Sequence, residues 1–147
     1  MYITATRPDM MFVVSFISRF MAKPTELHLQ ATKRALRYLK GTANYGIFYK
    51  KDGNKQLVAF IYSDYAGNLD DRKSTSNYVF MPSGGAVSWS SKKQPVIILL
   101  ITEAKFVAAA TCTCQAVWMR RILKQLNHAQ DDCTTMICDN SSTIKLL

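Results

Sequence analysis

The chain has 147 residues, the size of one domain, and 48% apolar with 11% aromatic residues is enough to bury a core, which excludes wholesale disorder. Nineteen Lys and Arg against ten Asp and Glu leave a formal charge of +9; that balance favours a polyanionic partner, nucleic acid or an acidic membrane face, and is silent on fold. Composition also excludes a collagen, a coiled coil and a disulfide-dense toxin, and no run reaches the roughly 18 apolar residues of a membrane-spanning helix.

In chain order, residues 8–22 read as a helix. Pro8 suits a first turn, and Met10, Val13, Val14, Ile17, Phe20 and Met21 recur at three- and four-residue steps. As a secretory signal core the apolar run Met10 to Ser18 is weak, because Asp9 precedes it, Arg19 follows it and Phe20-Met21-Ala22 is a poor cleavage site. Pro24 breaks the helix, and Thr25 caps a second that runs to Lys40 and stops at Gly41. Its expected buried stripe is Leu27, Ala31, Ala35, Tyr38 and Leu39, with Lys33, Arg34, Arg37 and Lys40 turned the other way. From Lys23 to Lys51 there are seven basic residues and one acid, Glu26. That face is either a solvated helix surface or a contact for phosphates or another acidic partner.

Gly46 to Lys51 and Lys55 to Ser63 read as strands joined at Asp52-Gly53, a hairpin dipeptide, and 77–81 with 86–91 form a second hairpin around Pro82 to Gly85. The longest apolar run, Val96 to Ile101, is strand-sized. Thr102 to Leu126 reads as one long helix or two consecutive ones. Thr134 to Cys138 is a short strand, and a last helix starts at Asn140. Two helices, then β-β-β-β, α, β, α make an α+β domain with a helical lead-in. The spacing of Cys112, Cys114, Cys133 and Cys138 suits buried reduced thiols better than a bridge or a zinc site, and neither His28 nor His128 is expected to do chemistry.

Several strings carry a resemblance. Tyr2-Ile3-Thr4-Ala5-Thr6-Arg7-Pro8-Asp9 and Arg34 to Thr42 resemble the end of a copia-type retrotransposon reverse transcriptase. Asp64-Tyr65-Ala66-Gly67, Asp70 to Ser76, Ser88 to Gln94, Thr102-Glu103-Ala104, Trp118 to Leu123 and Cys138-Asp139-Asn140 resemble the RNase H domain that follows it. The match runs in order over essentially the whole chain. It implies a reverse-transcriptase tail over 1–44, with a basic second helix, and over 45–147 an RNase H-like mixed sheet with helices, truncated at its C-terminus.

RNase H chemistry needs three or four carboxylates holding two Mg²⁺ ions about 3.5–4 Å apart. Carried over residue by residue, the family's first-strand aspartate falls on Tyr62, its helix glutamate on Lys105 and its third ligand on Asp139, while the fourth would lie beyond Leu147. Asp64 lies roughly 6–7 Å further along the strand from Tyr62, and Glu103 is on the opposite side of its helix from Lys105; neither is placed to substitute. One cation, one neutral phenol and one carboxylate sum to about zero charge, so the resemblance implies an ancestral Mg²⁺ site that is lost, with no cofactor and no metal. Two outcomes are open for Lys105: its ammonium pairs with Asp139 and the Tyr62 hydroxyl in place of a metal, or it swings into water.

Two functional expectations follow. Arg34-Ala35-Leu36-Arg37 has the R-x-L-R form found in oomycete effectors, and the sequence resembles copia-derived proteins known as secreted RxLR effectors of downy mildews. That implies secretion, a place in the host plant cell including its nucleus, and a host protein partner through which defence or cell death is suppressed. Ordinary copia elements carry Arg-x-Leu-Arg here as well, so the motif is inherited. The other expectation is an intracellular relic of the polyprotein that retains weak binding to RNA or DNA through Lys33, Arg34, Arg37 and Lys40.

Overall fold

The computed structural model describes residues 2–51, 56–68, 70–82 and 84–139. They form two compact units, Met1–Ile47 and Phe48–Leu147.

The first unit is helical. A short α1 (Tyr2–Thr6) precedes α2 (Pro8–Ser18), which has Pro8 in its first turn, and α3 (Glu26–Gly41) follows. The expected helix at 8–22 thus ends at Ser18, with residues 19–22 in turns. Thr25 caps α3 as anticipated, and the third residue of the helix completes the box: the Thr25 N–H donates to Nδ1 of His28 at 3.0 Å. The His28 ring also stacks on Phe20, 4.1 Å between centroids, so this histidine holds the α2–α3 turn. The inward stripe of α3 corrects the expected one. His28, Thr32, Ala35 and Leu39 are half-buried, whereas Leu27, Ala31 and Tyr38 are exposed, Leu27 at 73%. The cap contact and the stacking of His28 on Phe20 turn the His28 side of the helix inward.

The second unit is α+β. Strands β1 (Val58–Ser63), β2 (Thr75–Met81), β3 (Ser88–Lys93) and β4 (Thr135–Cys138) form a mixed sheet in the order β3-β2-β1-β4, with α4 (Ile101–Gln125) crossing between β3 and β4. β1 pairs antiparallel with β2 and parallel with β4, in a register that sets Ile61 beside both Tyr78 and Cys138. β1 alternates, with Ala59, Ile61 and Ser63 buried and Phe60 and Tyr62 exposed. Leu57, Ala59, Ile61 and Phe80 pack against Ala108, Ala109, Cys112 and Ala116 of α4. Small residues along that helix face let it lie close to the sheet. Toward the end of β1 the core turns polar, with Ser63, Ser74, Thr75 and Gln94 all buried.

One expected strand is corrected here. Gly46 to Lys51 is not a strand: Tyr49 is held by its side chain, the hydroxyl donating to the Ala86 carbonyl at 2.7 Å and the ring lying where a Cβ on Gly85 would meet it at 2.5 Å. Asp52-Gly53 lies outside the described residues, as do Lys55, Ser83 and the helix expected from Asn140. The strand-sized run Val96 to Ile101 leads into α4 outside the sheet, with Ile98 buried and its other five apolar side chains exposed. The hairpin of β2 and β3 and the single long α4 fall close to the expected ranges. No helix among the described residues is long and apolar enough to cross a membrane.

Candidate functional site

The loop from Asp64 to Ser74 is built by the very strings that carried the resemblance. The Asp64 N–H donates to the Thr75 carbonyl at 3.2 Å, and Asp64 Oδ1 accepts from the Thr75 N–H. Ser74 Oγ accepts from the Ala66 N–H at 3.1 Å, and Ala66 and Arg72 both adopt positive φ. A Cβ on Gly67 would stand 2.3 Å from Oδ2 of Asp64, so only glycine fits beside this carboxylate. Asp64 is thereby committed to closing the loop. Lys93 anchors the loop from outside, its Nζ 2.5 Å from Asp71, whose carboxyl that hydrogen bond holds below the usual range.

Behind the loop, Gln94 donates from Nε2 to Ser76 Oγ at 2.7 Å and to the Ala104 carbonyl at 2.9 Å, tying the end of β3 to β2 and to the first turn of α4. Tyr65 donates to the Leu99 carbonyl at 2.7 Å and holds the segment entering α4. At the other end of α4, Arg120 donates to the carbonyls of Gln130 at 2.6 Å and Asp132 at 2.5 Å, fixing the approach to β4.

This scaffold brings two of the three aligned positions together. Lys105, in the first turns of α4, donates from its ammonium to Oδ1 of Asp139, which follows β4. The lysine side chain is 12% exposed and the aspartate 53%. Tyr62 sits on the neighbouring β1 but is 55% exposed, on the face turned from α4, and its hydroxyl bonds to neither partner among the described residues. Lys105 therefore takes the first of its two anticipated courses with Asp139 and without Tyr62. The donor set does not fit magnesium: it offers one carboxylate, whose Oδ1 is taken by an ammonium, where hard divalent ions need several anionic oxygens. Among the described residues no group of three His, Cys, Asp or Glu could hold a metal.

In the first unit Arg34, Leu36 and Arg37 of the R-x-L-R string are exposed on α3 and Ala35 is half-buried, while Lys33 and Lys40 are exposed. Sequence reasoning missed the node beside them. Arg7 donates from Nε and Nη2 to both oxygens of Asp9 at 3.0 and 2.7 Å, and from Nη1 and Nη2 to the carbonyl and hydroxyl of Thr42 at 3.0 and 2.7 Å. Tyr38 donates to Asp9 at 2.9 Å. The Arg7 hydrogen bonds, with that of Tyr38, hold the Asp9 carboxyl down to about 2. Arg7, Asp9 and Tyr38 line a pocket of about 310 Å³ together with Tyr45 and Ile47. The available signal was Arg7-Pro8-Asp9, charges of opposite sign on either side of a helix-starting proline.

The chain is 41% identical over 139 residues to the Pol polyprotein from transposon RE1 of Arabidopsis thaliana, a match covering 95% of this chain and 10% of that one. It is 38% identical over 141 residues to the Pol polyprotein from transposon TNT 1-94 of Nicotiana tabacum, covering 96% and 10%. Secreted RxLR effector protein 161 of Plasmopara viticola is 43% identical over 114 residues, 78% of this chain and 80% of the effector. No family model matches, and no solved structure does. An α+β sheet whose sequence signatures close one loop, and whose relatives are transposon Pol proteins, defines the class: the chain belongs to the copia-type Pol family. It spans about a tenth of the transposon polyproteins and four-fifths of the effector.

Proposed function

We propose that this chain is a copia-derived protein without RNase H activity that works by contact, as a secreted RxLR-type effector suppressing defence or cell death in a plant host cell. The observation that carries the non-catalytic half is the Lys105–Asp139 ion pair: an ammonium holds the acceptor that a divalent ion would need, so metal entry would have to break the pair and leave a positive charge beside the cation. The effector half is supported by the identity to the effector-named relative over most of its length and by the exposure of Arg34, Leu36 and Arg37.

Calorimetric titration with Mg²⁺ or Mn²⁺ and a heteroduplex cleavage assay test the first half. The expected result is no saturable heat and no cleavage; saturable binding or cleavage that Asp139→Asn abolishes overturns it. Expressing the full chain with a reporter in an oomycete tests the second, and retention inside the producing cell removes the effector reading.

The relic reading is favoured by the match to RE1 over 95% of the chain, with Lys33, Arg34, Arg37 and Lys40 exposed on α3 as phosphate contacts. Filter binding to an RNA–DNA hybrid across salt tests it, and no affinity at low salt removes it.

A further inference from the structure

One stripe of α3 alternates leucine with lysine. Leu29, Lys33, Leu36 and Lys40 fall within about 60° of one another on a helix of 3.6 residues per turn and climb about 16 Å along it. All four are exposed, Leu29 at 46% and Leu36 at 55%. The half-buried stripe of His28, Thr32, Ala35 and Leu39 is centred about 90° around the helix, so the leucine–lysine seam is not the packing face. Arg37 borders it on the outer side, and Glu26 in the first turn is the one acid of the helix.

We infer that this seam docks an acidic amphipathic helix of a partner protein. Leu29 and Leu36 are seven residues apart, the repeat at which two helices meet, and lysines four residues after each stand where flanking charges choose the partner. A helix with leucines at the same repeat and glutamates beside them satisfies both features at once. A nucleic-acid backbone would use the lysines and gain nothing from the leucines. A bilayer surface favours helices whose apolar and basic residues lie on separate faces, whereas here each leucine is followed along one stripe by a lysine. The inference rests on the contact-based reading above and names its class of partner.

The test titrates the full chain into a labelled three-heptad peptide bearing leucines on its seam and glutamates at the flanks, read by fluorescence anisotropy. The expected result is saturable binding, weakened at least about tenfold by Leu29→Ser with Leu36→Ser. Lys33→Glu with Lys40→Glu should lose the acidic peptide and gain one with lysines for glutamates, a rescue that a misfolded chain does not give. No binding of the acidic peptide overturns the inference, as does binding indifferent to the leucine substitutions. So does tighter binding, through the same residues, of an RNA–DNA hybrid or of phosphatidylcholine vesicles with about one-third phosphatidylserine. Heteroduplex cleavage is scored separately: cleavage with intact peptide binding sinks the non-catalytic reading alone, and inert protein that ignores the peptide sinks the seam alone.

Discussion

Lys105 and Asp139, 34 residues apart in sequence, meet as an ion pair where the first turns of α4 reach the end of β4. The lysine is largely covered and the aspartate is half in water, so the pair is worth no more than about 1 kcal/mol and weakens with salt. Lys105→Ala should cost about that in chemical denaturation. Lys105→Glu would instead set two acids against each other at this junction. That variant should be less stable without metal and gain stability with added Mg²⁺, a shift the parent chain lacks; equal Mg²⁺ response in both would contradict the charge argument.

Asp9 makes the first unit sensitive to acid. Its carboxyl titrates at about 2 in the folded chain against roughly 3.9 when unfolded. A depressed folded value means the contribution is complete above pH 4 and lost as pH falls through 4 to 2. About a third of the side chain is exposed, so the effect after solvent screening is about 1 kcal/mol. Helicity followed by circular dichroism should fall in that window, and Asp9→Asn should flatten the profile.

Gly67 and Asp64 should be energetically coupled. A methyl at Gly67 would press on the Asp64 carboxylate, which is bound to the Thr75 N–H and cannot move without losing that bond. Gly67→Ala should therefore cost about 1–2 kcal/mol, and clearly less in an Asp64→Ala background, where the obstacle is gone. A double-mutant cycle in urea measures the difference, and strict additivity would show that the close approach is not what demands glycine.

The four thiols should differ sharply in reactivity. Cys112 lies in the core against the sheet, and burial pushes its thiol up to about 11, whereas Cys114 and Cys133 are exposed. Native alkylation followed by mass spectrometry should label Cys114 and Cys133 first and Cys112 only after denaturation. Early labelling of Cys112 would mean that α4 opens away from β1.

The hairpin of β2 and β3 and the length of α4 were legible in the sequence because their signals are local: alternation, a turn cluster, a long stretch without glycine or proline. The identities of Tyr62 and Lys105 were legible too, but what those side chains touch was not. Local signals failed where several outcomes were equally compatible with them. For α3, spacing pointed to Leu27, Ala31, Ala35, Tyr38 and Leu39, whereas the stacking of His28 on Phe20 and the links of Arg7 to Thr42 and of Tyr38 to Asp9 go with a different covered face. Gly46 to Lys51 has strand-forming residues, but its expected hairpin partner became β1, which β2 and β4 flank on both edges.

By itself, the sequence determined the class of fold, the family and the residue types at each aligned position, because these depend on pattern and register. Tertiary structure decided what those residues touch. It made Asp64 a loop-closing acceptor and Asp139 the partner of an ammonium, for contacts between groups 11 and 34 residues apart depend on how strands and helices stack, and no periodicity encodes that.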